Sequence, residues 1–309
     1  LGKSFYLQGK NAISNGLYVL KLNNNENIKL KYLYYYLINN KNNIMDLATY
    51  TTGLGNIKQS TLKVFEIPIP SLNTQNKIIN RLDILSSNIN NLKSNINELT
   101  LIMKYYVESH TFNCEKKLFE NVCTFEKKTQ KLKTSDAKTN GNYRFFSSSQ
   151  TKMLYYDNYE FENKHIIMGR GGQASIHIAS KFSISHDDCY VISSEYLDYV
   201  YYYLLCNKNK LELGFTGSTI KHLSKSFINK LQIPIPSKDK QLEIIDYCNN
   251  LNNMINNMTN QIIKNKDLMK LILKNYINNN KYNNNTKSTK TTKKLKIKIK
   301  KSKKKKILV

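Results

Sequence analysis

Two stretches of the chain carry apolar residues at the alternating four- and three-residue spacing of a heptad repeat. A helix with this spacing presents one continuous apolar seam, which packs either against a second helix or on a globular core. Because both stretches keep the same register, the pattern favours two long helices that pair with each other. The predicted seams consist of Ile78, Leu82, Leu85, Ile89, Leu92, Ile96, Leu99 and Met103 in the first helix, and of Ile244, Cys248, Leu251, Ile255, Met258, Ile262, Met269 and Ile272 in the second.

The region between these helices, residues 114–235, has a different pattern. Short runs rich in β-branched and aromatic residues alternate with glycine, serine and asparagine, which predicts strands. A tyrosine-rich amphipathic helix is predicted at Tyr196–Cys206, so the fold class is predicted to be α+β. The predicted strands are Tyr143–Phe146, His165–Met168, Ser175–Ala179, Phe182–Ser185 and Cys189–Ser193.

The second half of the chain repeats features of the first. All four prolines lie in two copies of one phrase, Ile67–Ser71 and Ile233–Ser237. A period as long as the distance between these copies indicates duplicated domains rather than a solenoid. Further matches occur in the same order: Tyr18-Val19 with Tyr190-Val191, Tyr34–Leu37 with Tyr201–Leu204, Ile57-Lys58 with Ile220-Lys221, Gln75 with Gln241, and Ile78-Ile79 with Ile244-Ile245.

The first copy is predicted to be partial. It reaches its proline phrase already at Ile67, whereas the second copy starts near Cys114 and reaches its phrase only at Ile233. Aligning Leu1–Lys3 with Met168–Arg170 leaves the stretch Cys114–Ile167 without a counterpart in the first copy. The predicted organisation is a partial globular domain at 1–71, a helix at 72–110, a globular domain at 111–237, a second helix at 238–277 and a tail at 278–309.

The net charge of the chain indicates what kind of molecule it binds. The formal net charge is +26, and the thirteen lysines of residues 281–309 account for half of it. This tail is predicted to be a solvated, disordered arm. Because the remaining residues are still basic, a polyanionic partner is expected, with nucleic acid favoured over an anionic membrane surface. The sequence has no run of 18 apolar residues and no signal peptide, so we expect a cytoplasmic protein.

Motifs of catalysis and metal binding are absent from the sequence. The five cysteines are scattered and never form Cys-x-x-Cys, which argues against disulfides and zinc. There is no P-loop, no Gly-x-Ser-x-Gly and no His-Glu-x-x-His. Since all prolines lie in the repeated phrase, the Asn/Asp-Pro-Pro-Tyr/Phe motif of amino-methyltransferases is also missing. We therefore predict a non-catalytic chain without a cofactor or metal of its own.

Two segments are candidates for contact with nucleic acid. A glycine-rich turn, Gly169–Gly172, lets the backbone approach phosphates, and its Arg170 suits a bidentate contact with guanine or phosphate. The second is the donor-rich loop Gly217–Lys225. The alternatives are a tight β-turn and a plain solvated loop, and His186–Asp188 is interpreted as a turn rather than a metal or acid–base site. The predicted DNA-binding residues are Gly169, Arg170, Gly171, Gly172, Lys181, Ser218, Thr219, Lys221, His222 and Lys225.

The order of these features resembles the specificity (S) subunits of type I restriction–modification enzymes. The resemblance rests on a proline phrase, a glutamine at the helix start and a long heptad helix, all present twice, at Ile67–Gln75 and Ile233–Gln241. The glycine turn Met168–Gly172 and the loop Gly217–Lys221 add to it, and it covers about residues 1–277.

The resemblance implies a pseudo-twofold protein with two target-recognition domains, the first of them truncated here. Each would bind one half of a bipartite target in the major groove of double-stranded DNA. The paired helices would form a coiled-coil spacer and dock methyltransferase (modification) subunits, with a restriction subunit as a further partner. S-adenosylmethionine, Mg and ATP would belong to those partners. The alternative is a coiled-coil assembly protein whose degenerate recognition domains bind polyanions non-specifically.

Overall fold

The computed structural model describes residues 2–12, 17–22, 27–51, 54–63, 65–149, 153–218, 221–283 and 298–301. It forms two compact units, which we call unit 1 (Leu1–Ser94 with Met258–Val309) and unit 2 (Asn95–Asn257). The boundary lies inside both long helices, so each unit contains one end of each helix.

The described part of the chain contains the following elements. Up to the end of the first long helix they are β1 (Tyr18–Lys21), α1 (Leu30–Asn39), α2 (Lys41–Met45), β2 (Thr49–Thr51), β3 (Leu54–Asn56), α3 (Gln59–Lys63) and α4 (Leu72–Thr111). The remaining elements are β4 (Lys116–Leu118), α5 (Phe119–Val122), β5 (Thr124–Phe125), a 3-10 turn (Thr134–Asp136), β6 (Tyr143–Phe146), β7 (Leu154–Tyr156), β8 (His165–Gly169), β9 (Ile176–Ala179), β10 (Phe182–Ile184), β11 (Cys189–Ser193), α6 (Leu197–Cys206), α7 (Lys208–Glu212), β12 (Phe215–Thr216), β13 (His222–Leu223), α8 (Lys225–Asn229), β14 (Gln232–Pro234), α9 (Lys238–Asn283) and β15 (Lys298–Lys301).

Unit 1 is built around the tyrosine-rich helix α1. Its buried face includes Tyr32 and Tyr35, whose hydroxyl groups still find acceptors. Tyr32 donates to the carbonyl of Pro68 at 2.7 Å, and Tyr35 donates to the Asp83 carboxylate of α4 at 2.5 Å. The proline phrase and the start of α4 are therefore tied to the same small core.

Gln75 explains why a glutamine follows the proline phrase. It is buried in the first turn of α4, where its amide donates to the carbonyl oxygens of Pro70 (2.8 Å) and Asn27 (2.7 Å). Its side-chain oxygen accepts a hydrogen bond from the backbone of Lys29 at 2.8 Å. In unit 2, the buried Gln241 likewise donates to the carbonyl of Pro236 at 2.9 Å. A buried amide at this position satisfies backbone groups that a proline-rich approach to a helix leaves without partners.

Unit 2 contains two larger sheets besides the two-stranded pairs β12-β13 and β14-β4. Within its described residues, the first has the strand order β5-β11-β8-β9 and is antiparallel, and the second has the order β10-β6-β7, with β10 and β6 parallel. Successive residues of β8 face opposite sides, as the pleat requires. Ile166 and Met168 pack into a core with α6, whereas Ile167 packs into a smaller core with Phe146 of the second sheet. The first sheet is thus buried on both faces.

The two copies of the repeat share their internal hydrogen bonds. Tyr32 donates to Pro68 in unit 1, and Tyr199 donates to the carbonyl of Pro234 in unit 2 at 2.5 Å. Tyr18 donates to the carbonyl of Ile57, and Tyr190 donates to that of Leu223, each at 3.0 Å. The duplication seen in the sequence is therefore also present in the structure, as equivalent hydrogen bonds in the two units.

The same equivalence corrects one match made from sequence. Helices α3 and α8 both have five residues, and their first residues, Gln59 and Lys225, lie equally far before the two proline phrases. Ile57 therefore corresponds to Leu223 rather than to Ile220, because the two loops before these helices differ in length. The Ile-Lys pair at 220–221 only resembles Ile57-Lys58, and Ile220 itself lies outside the described residues.

The α+β fold class is confirmed by these two sheets and the helices around them. Strands β6 and β11 have the predicted bounds, and β8, β9 and β10 differ from prediction by one residue. In the lysine-rich tail, for which a disordered arm is predicted, the structure continues α9 to Asn283 and pairs β15 antiparallel with β1. The other residues of the tail lie outside the described part of the chain.

Candidate nucleic-acid interface

The glycine turn at the end of β8 is held by three other segments of unit 2. The amide of Gly169 donates to the carbonyl of Ser175 at 3.0 Å, and the amide of Arg170 donates to that of Asp188 at 2.8 Å. The carbonyl of Arg170 accepts from the amide of Leu223, also at 2.8 Å. The backbone on both sides of the arginine side chain is therefore fixed in place before any ligand arrives.

Two positions of the turn require glycine for different reasons. A Cβ on Gly169 would lie 2.2 Å from Ser175 Oγ and 3.2 Å from Ser148 Cα, so the close packing of three segments excludes a side chain there. Gly172 has a φ of +82°, in the left-handed region that glycine adopts without strain. The predicted tight turn is therefore present. The same turn holds the backbone of Arg170 in place, so a turn and a binding role are compatible at this position.

The second candidate segment meets this turn. Gly171 forms an isolated antiparallel bridge with His222, and the amide of Gly172 donates to the carbonyl of Lys221 at 3.1 Å. His222, Lys221 and Ser218 are exposed. The fold thus brings together two candidate segments that are well separated in sequence, while Thr219 lies outside the described residues.

Arg170 and Lys225 flank one aromatic ring. Arg170 Cζ lies 4.9 Å from the centre of the Tyr190 ring, and Lys225 Nζ lies 5.6 Å from the same centre. Lys225 Nζ is also 4.7 Å from the ring centre of Phe125. Such cation–π contacts orient the charges while leaving their N–H groups able to donate to a ligand. We call Arg170, Lys225, Lys128 and Tyr190 the turn cluster.

Lys128 is the member of the turn cluster that the sequence does not single out. Its ammonium donates to the carbonyl oxygens of His186 and Cys189. Burial lowers the pKa of Lys128, and the nearby positive charges of Arg170 and Lys225 lower it further. Arg170 donates its amide to Asp188 O, between the two carbonyl oxygens that Lys128 binds, and Lys225 shares the Tyr190 ring with Arg170. The three cations therefore lie near one another, which is a favourable arrangement for a polyanion.

The acidic residues beside this cluster have structural roles. Asp188 accepts hydrogen bonds from Thr134 Oγ1 (2.9 Å) and Ser185 Oγ (2.5 Å), and its amide donates to Ser185 O. Asp187 is exposed, and its hydrogen bond with His186 lowers its carboxyl pKa. The predicted turn at His186–Asp188 is therefore confirmed. The described residues contain no group of three or more histidine, cysteine or acidic side chains placed to hold a metal ion.

Lys181 stands apart from the other predicted residues. It follows β9 with a φ of +49° and donates its amide to the carbonyl of Glu162. In the β8–β9 ladder, Met168 pairs with Ile176 and His165 pairs with Ala179. Lys181 therefore lies at the end opposite to the glycine turn, and the structure does not bring it to the turn cluster.

In unit 1, the predicted seam residues line the inner side of both long helices. Ile78, Leu82, Ile89 and Ile262 are buried, and Leu85, Leu92 and Met258 are half-buried. Arg81 of α4 lies over the ring of Tyr276 of α9, 5.6 Å from its centre. The start of α4 therefore packs beside the end of α9.

In unit 2, the opposite ends of the helices meet. Ile244 and Leu251 are buried, and Ile96, Leu99 and Ile255 are half-buried. The rings of Tyr106 and Tyr247 stack with centres 3.8 Å apart, and Tyr106 donates to Glu243 at 2.8 Å. In each unit the two helices are therefore antiparallel neighbours. Among the helices of the described residues, none has the apolar run that a membrane span requires.

The fold is an α+β domain carried on long helices, with a basic cluster at its glycine turn. The family model of the type I restriction modification DNA specificity domain matches residues 1–101 and 113–265. Because these matches cover most of the 309 residues, the chain belongs to the type I restriction–modification DNA specificity family. Its role is sequence-specific recognition of DNA within a restriction–modification system, and specificity subunits are not themselves catalytic.

One solved structure agrees with this fold. The chain is similar to the S subunit of the type I restriction–modification system from M. genitalium, with 17% identity and a TM-score of 0.53 over 81% of this chain and 73% of that chain. It also matches the HsdS subunit from Thermoanaerobacter tengcongensis, with 14% identity and a TM-score of 0.39 over 82% of this chain and 71% of that chain.

Proposed function

We propose that the turn cluster reads one half of a bipartite DNA target, with Arg170 as the base-reading residue. The observation that supports this role is the fixed backbone around Arg170 together with its cation–π contact at 4.9 Å. A guanidinium held in this way can donate two parallel hydrogen bonds to guanine O6 and N7. Lys225, at the start of α8, is a compact point charge and suits a phosphate oxygen.

The experiment is a selection of bound duplexes from a random pool at physiological salt, followed by binding measurements on single-base variants of the selected motif. Arg170→Ala is expected to relax the preference at one base position, at about 1–3 kcal/mol, because one bidentate contact is lost. Lys225→Gln is expected to weaken binding evenly across sequences. An even loss for Arg170→Ala would reduce Arg170 to a phosphate contact, and a failure of the unaltered protein to select any motif would contradict recognition.

We further propose that the paired helices dock methyltransferase subunits in the cytoplasm, and that these partners bind S-adenosylmethionine. Leu101 and Tyr105 of α4 are exposed by 53% and 66%, and Phe112, which directly follows α4, is exposed by 81%. At 100° per residue, Leu101 and Tyr105 lie within about 40° of each other on the face opposite the seam. Exposed apolar side chains grouped on one helix face are typical of a protein–protein interface.

Docking can be tested with a methyltransferase subunit of a type I restriction–modification system. Tyr105→Glu is expected to abolish its co-purification with the specificity chain, because a charge would be buried in an apolar interface. Thr100→Glu is the matched control, since it adds the same charge to an exposed position of α4 outside the stripe. Equal complex formation by both variants would contradict this docking surface.

A further inference from the structure

Strand β1 of unit 1 corresponds to strand β11 of unit 2. Tyr18 in β1 and Tyr190 in β11 donate equivalent hydrogen bonds, to the carbonyls of Ile57 and Leu223, each at 3.0 Å. In unit 2, β11 lies between β8 and β5, and both run antiparallel to it. In the described part of unit 1, β1 pairs with the tail strand β15, which also runs antiparallel. Strand β15 therefore occupies the place of one of the two strands that flank β11.

Both neighbours of β11 lead into the turn cluster. Strand β8 ends at Gly169, directly before Arg170. Strand β5 ends at Phe125, and Lys128 follows shortly after it. Because each strand is antiparallel to β11, both lead towards the beginning of β11. A strand in the equivalent place in unit 1 leads to the corresponding end of β1, whichever side of β1 it occupies.

The register of β15 places two lysines at that end of unit 1. Lys301, the last residue of β15, pairs with Tyr18, the first residue of β1. Lys300 pairs with Val19. The backbone pairing of the tail therefore sets two cationic residues at the end of the strand pair that corresponds to the turn cluster.

A third lysine comes to the same end from the segment before α3. Ile57 accepts the hydrogen bond of the Tyr18 hydroxyl, and the next residue, Lys58, is exposed. In unit 2 the equivalent carbonyl belongs to Leu223, whose amide donates to the carbonyl of Arg170 at 2.8 Å. Lys58 therefore belongs to the segment that adjoins the base-reading arginine in the other unit.

The strand pair carries positive charge without any acidic residue. Strand β1 has the sequence Tyr-Val-Leu-Lys, and β15 has the sequence Lys-Ile-Lys-Lys. Its register also sets Lys21 opposite Lys298. Like charges directly opposite each other destabilise a strand pair, and a polyanion would offset this cost. The pair is therefore suited to the phosphate backbone of a nucleic acid.

We infer that the tail strand β15 gives unit 1 a DNA contact of its own, in which Lys58, Lys300 and Lys301 bind backbone phosphates of double-stranded DNA. The inference rests on the proposed function, because it takes the same class of ligand. Lysine is a compact point charge that suits a phosphate oxygen, and phosphate contacts carry no sequence information. Unit 1 thus contributes affinity through the tail, whereas sequence preference comes from the turn cluster.

The test uses the full chain and two duplexes, one with the selected motif and one scrambled, at several salt concentrations. Lys300→Gln combined with Lys301→Gln is expected to weaken binding to both duplexes alike and to lower the slope of log affinity against log salt by about 2. Between 50 and 200 mM salt, the affinity of this variant should therefore fall about tenfold less than that of the unaltered protein. Lys58→Gln is expected to lower the slope by about 1.

The matched control combines Lys287→Gln with Lys290→Gln. It removes the same charge from the tail outside β15, so its effect on affinity and on the salt slope should be smaller than that of the β15 pair. Equal effects of the two double variants would overturn the inference, because the tail would then act as an unplaced basic arm.

A further variant tests the placement of the lysines without changing the charge. Ile299→Pro keeps every lysine but removes a backbone donor from β15 and disrupts its pairing with β1. We expect it to weaken binding to both duplexes, as the double lysine variant does. Thr289→Pro is the control, since it introduces the same residue into the tail outside β15.

The outcomes separate the two proposals. Unchanged DNA binding by Ile299→Pro would overturn the strand-borne contact, as would a loss confined to the motif duplex. If the unaltered protein selects no motif, the proposed function fails, yet the scrambled duplex still tests the contact of unit 1.

Discussion

Aromatic rings lie beside several cations of unit 2. Tyr190 lies beside Arg170 and Lys225, and Phe146 lies beside Arg144. A ring face attracts a cation but does not consume its hydrogen-bond donors as a carboxylate would. The side chains are therefore positioned in advance, so the DNA contact that we propose for Arg170 and Lys225 would cost less side-chain freedom.

His177 gives the stability of unit 2 a specific pH dependence. Its pKa of about 4 in the folded protein lies below the value of about 6.5 expected in the unfolded chain. Between these values the unfolded chain binds the proton and the folded chain does not, so stability falls as the pH falls from 6.5 towards 4. The expected loss is about 3 kcal/mol over this window, measured by denaturant unfolding at several pH values.

His177→Phe supplies the comparison for this measurement. Phenylalanine keeps a ring beside Phe146 but cannot be protonated, so its unfolding free energy should fall less between pH 6.5 and pH 4. Carboxyl groups titrate equally in both proteins, and the difference between the two curves isolates the histidine. Parallel curves would show that His177 is protonated in the folded state.

The sequence predicts those site residues that carry a local signal. Arg170 is flanked by glycines, and Lys225 follows a donor-rich loop, so both are visible in the sequence. Lys128 has no such context, because its place depends on carbonyl oxygens 58 and 61 residues away. The contact of the His177 ring with Phe146 likewise has no local signal, because β9 and β6 belong to different sheets.

At the scale of elements, the sequence again predicts features that have a local signal and misses those that depend on the fold. Heptad spacing is a local property, and it predicts the buried sides of α4 and α9. Strands β12 and β13 have two residues each, which is too short for a period-two pattern. The parallel pairing of β10 with β6 also leaves no trace in sequence, because it is decided by the packing of the two sheets.

The seam of α4 can be tested with two neighbouring positions. Leu82 is fully buried, whereas Ile84 on the same helix is 63% exposed. Leu82→Asp is expected to destabilise unit 1 by about 3–5 kcal/mol, because it buries an unpaired charge between packed helices. Ile84→Asp should change the unfolding free energy by less than about 0.5 kcal/mol. Thermal unfolding measures both, and similar melting temperatures would contradict a buried seam.

At the scale of the whole molecule, both copies of the repeat share the junction between a globular domain and its long helix. In both units a helix tyrosine donates to a carbonyl of the proline phrase, and a buried glutamine follows in the long helix. Each junction thereby ties a globular domain to the direction of its helix. By contrast, Gln59 stands where the second copy has Lys225, so a residue that we propose to contact DNA differs between the copies.

The division of unit 1 between the two ends of the chain has a consequence for synthesis. Leu1–Ser94 leaves the ribosome long before Met258–Val309, which completes the same unit. Unit 2 is continuous in sequence and has all of its residues once Asn257 has emerged. Until the last part of the chain is translated, the apolar side of α4 at Ile78, Leu82 and Ile89 lacks its second helix. Until then, the nascent chain is more open to proteases and to self-association in the N-terminal part of unit 1 than in unit 2.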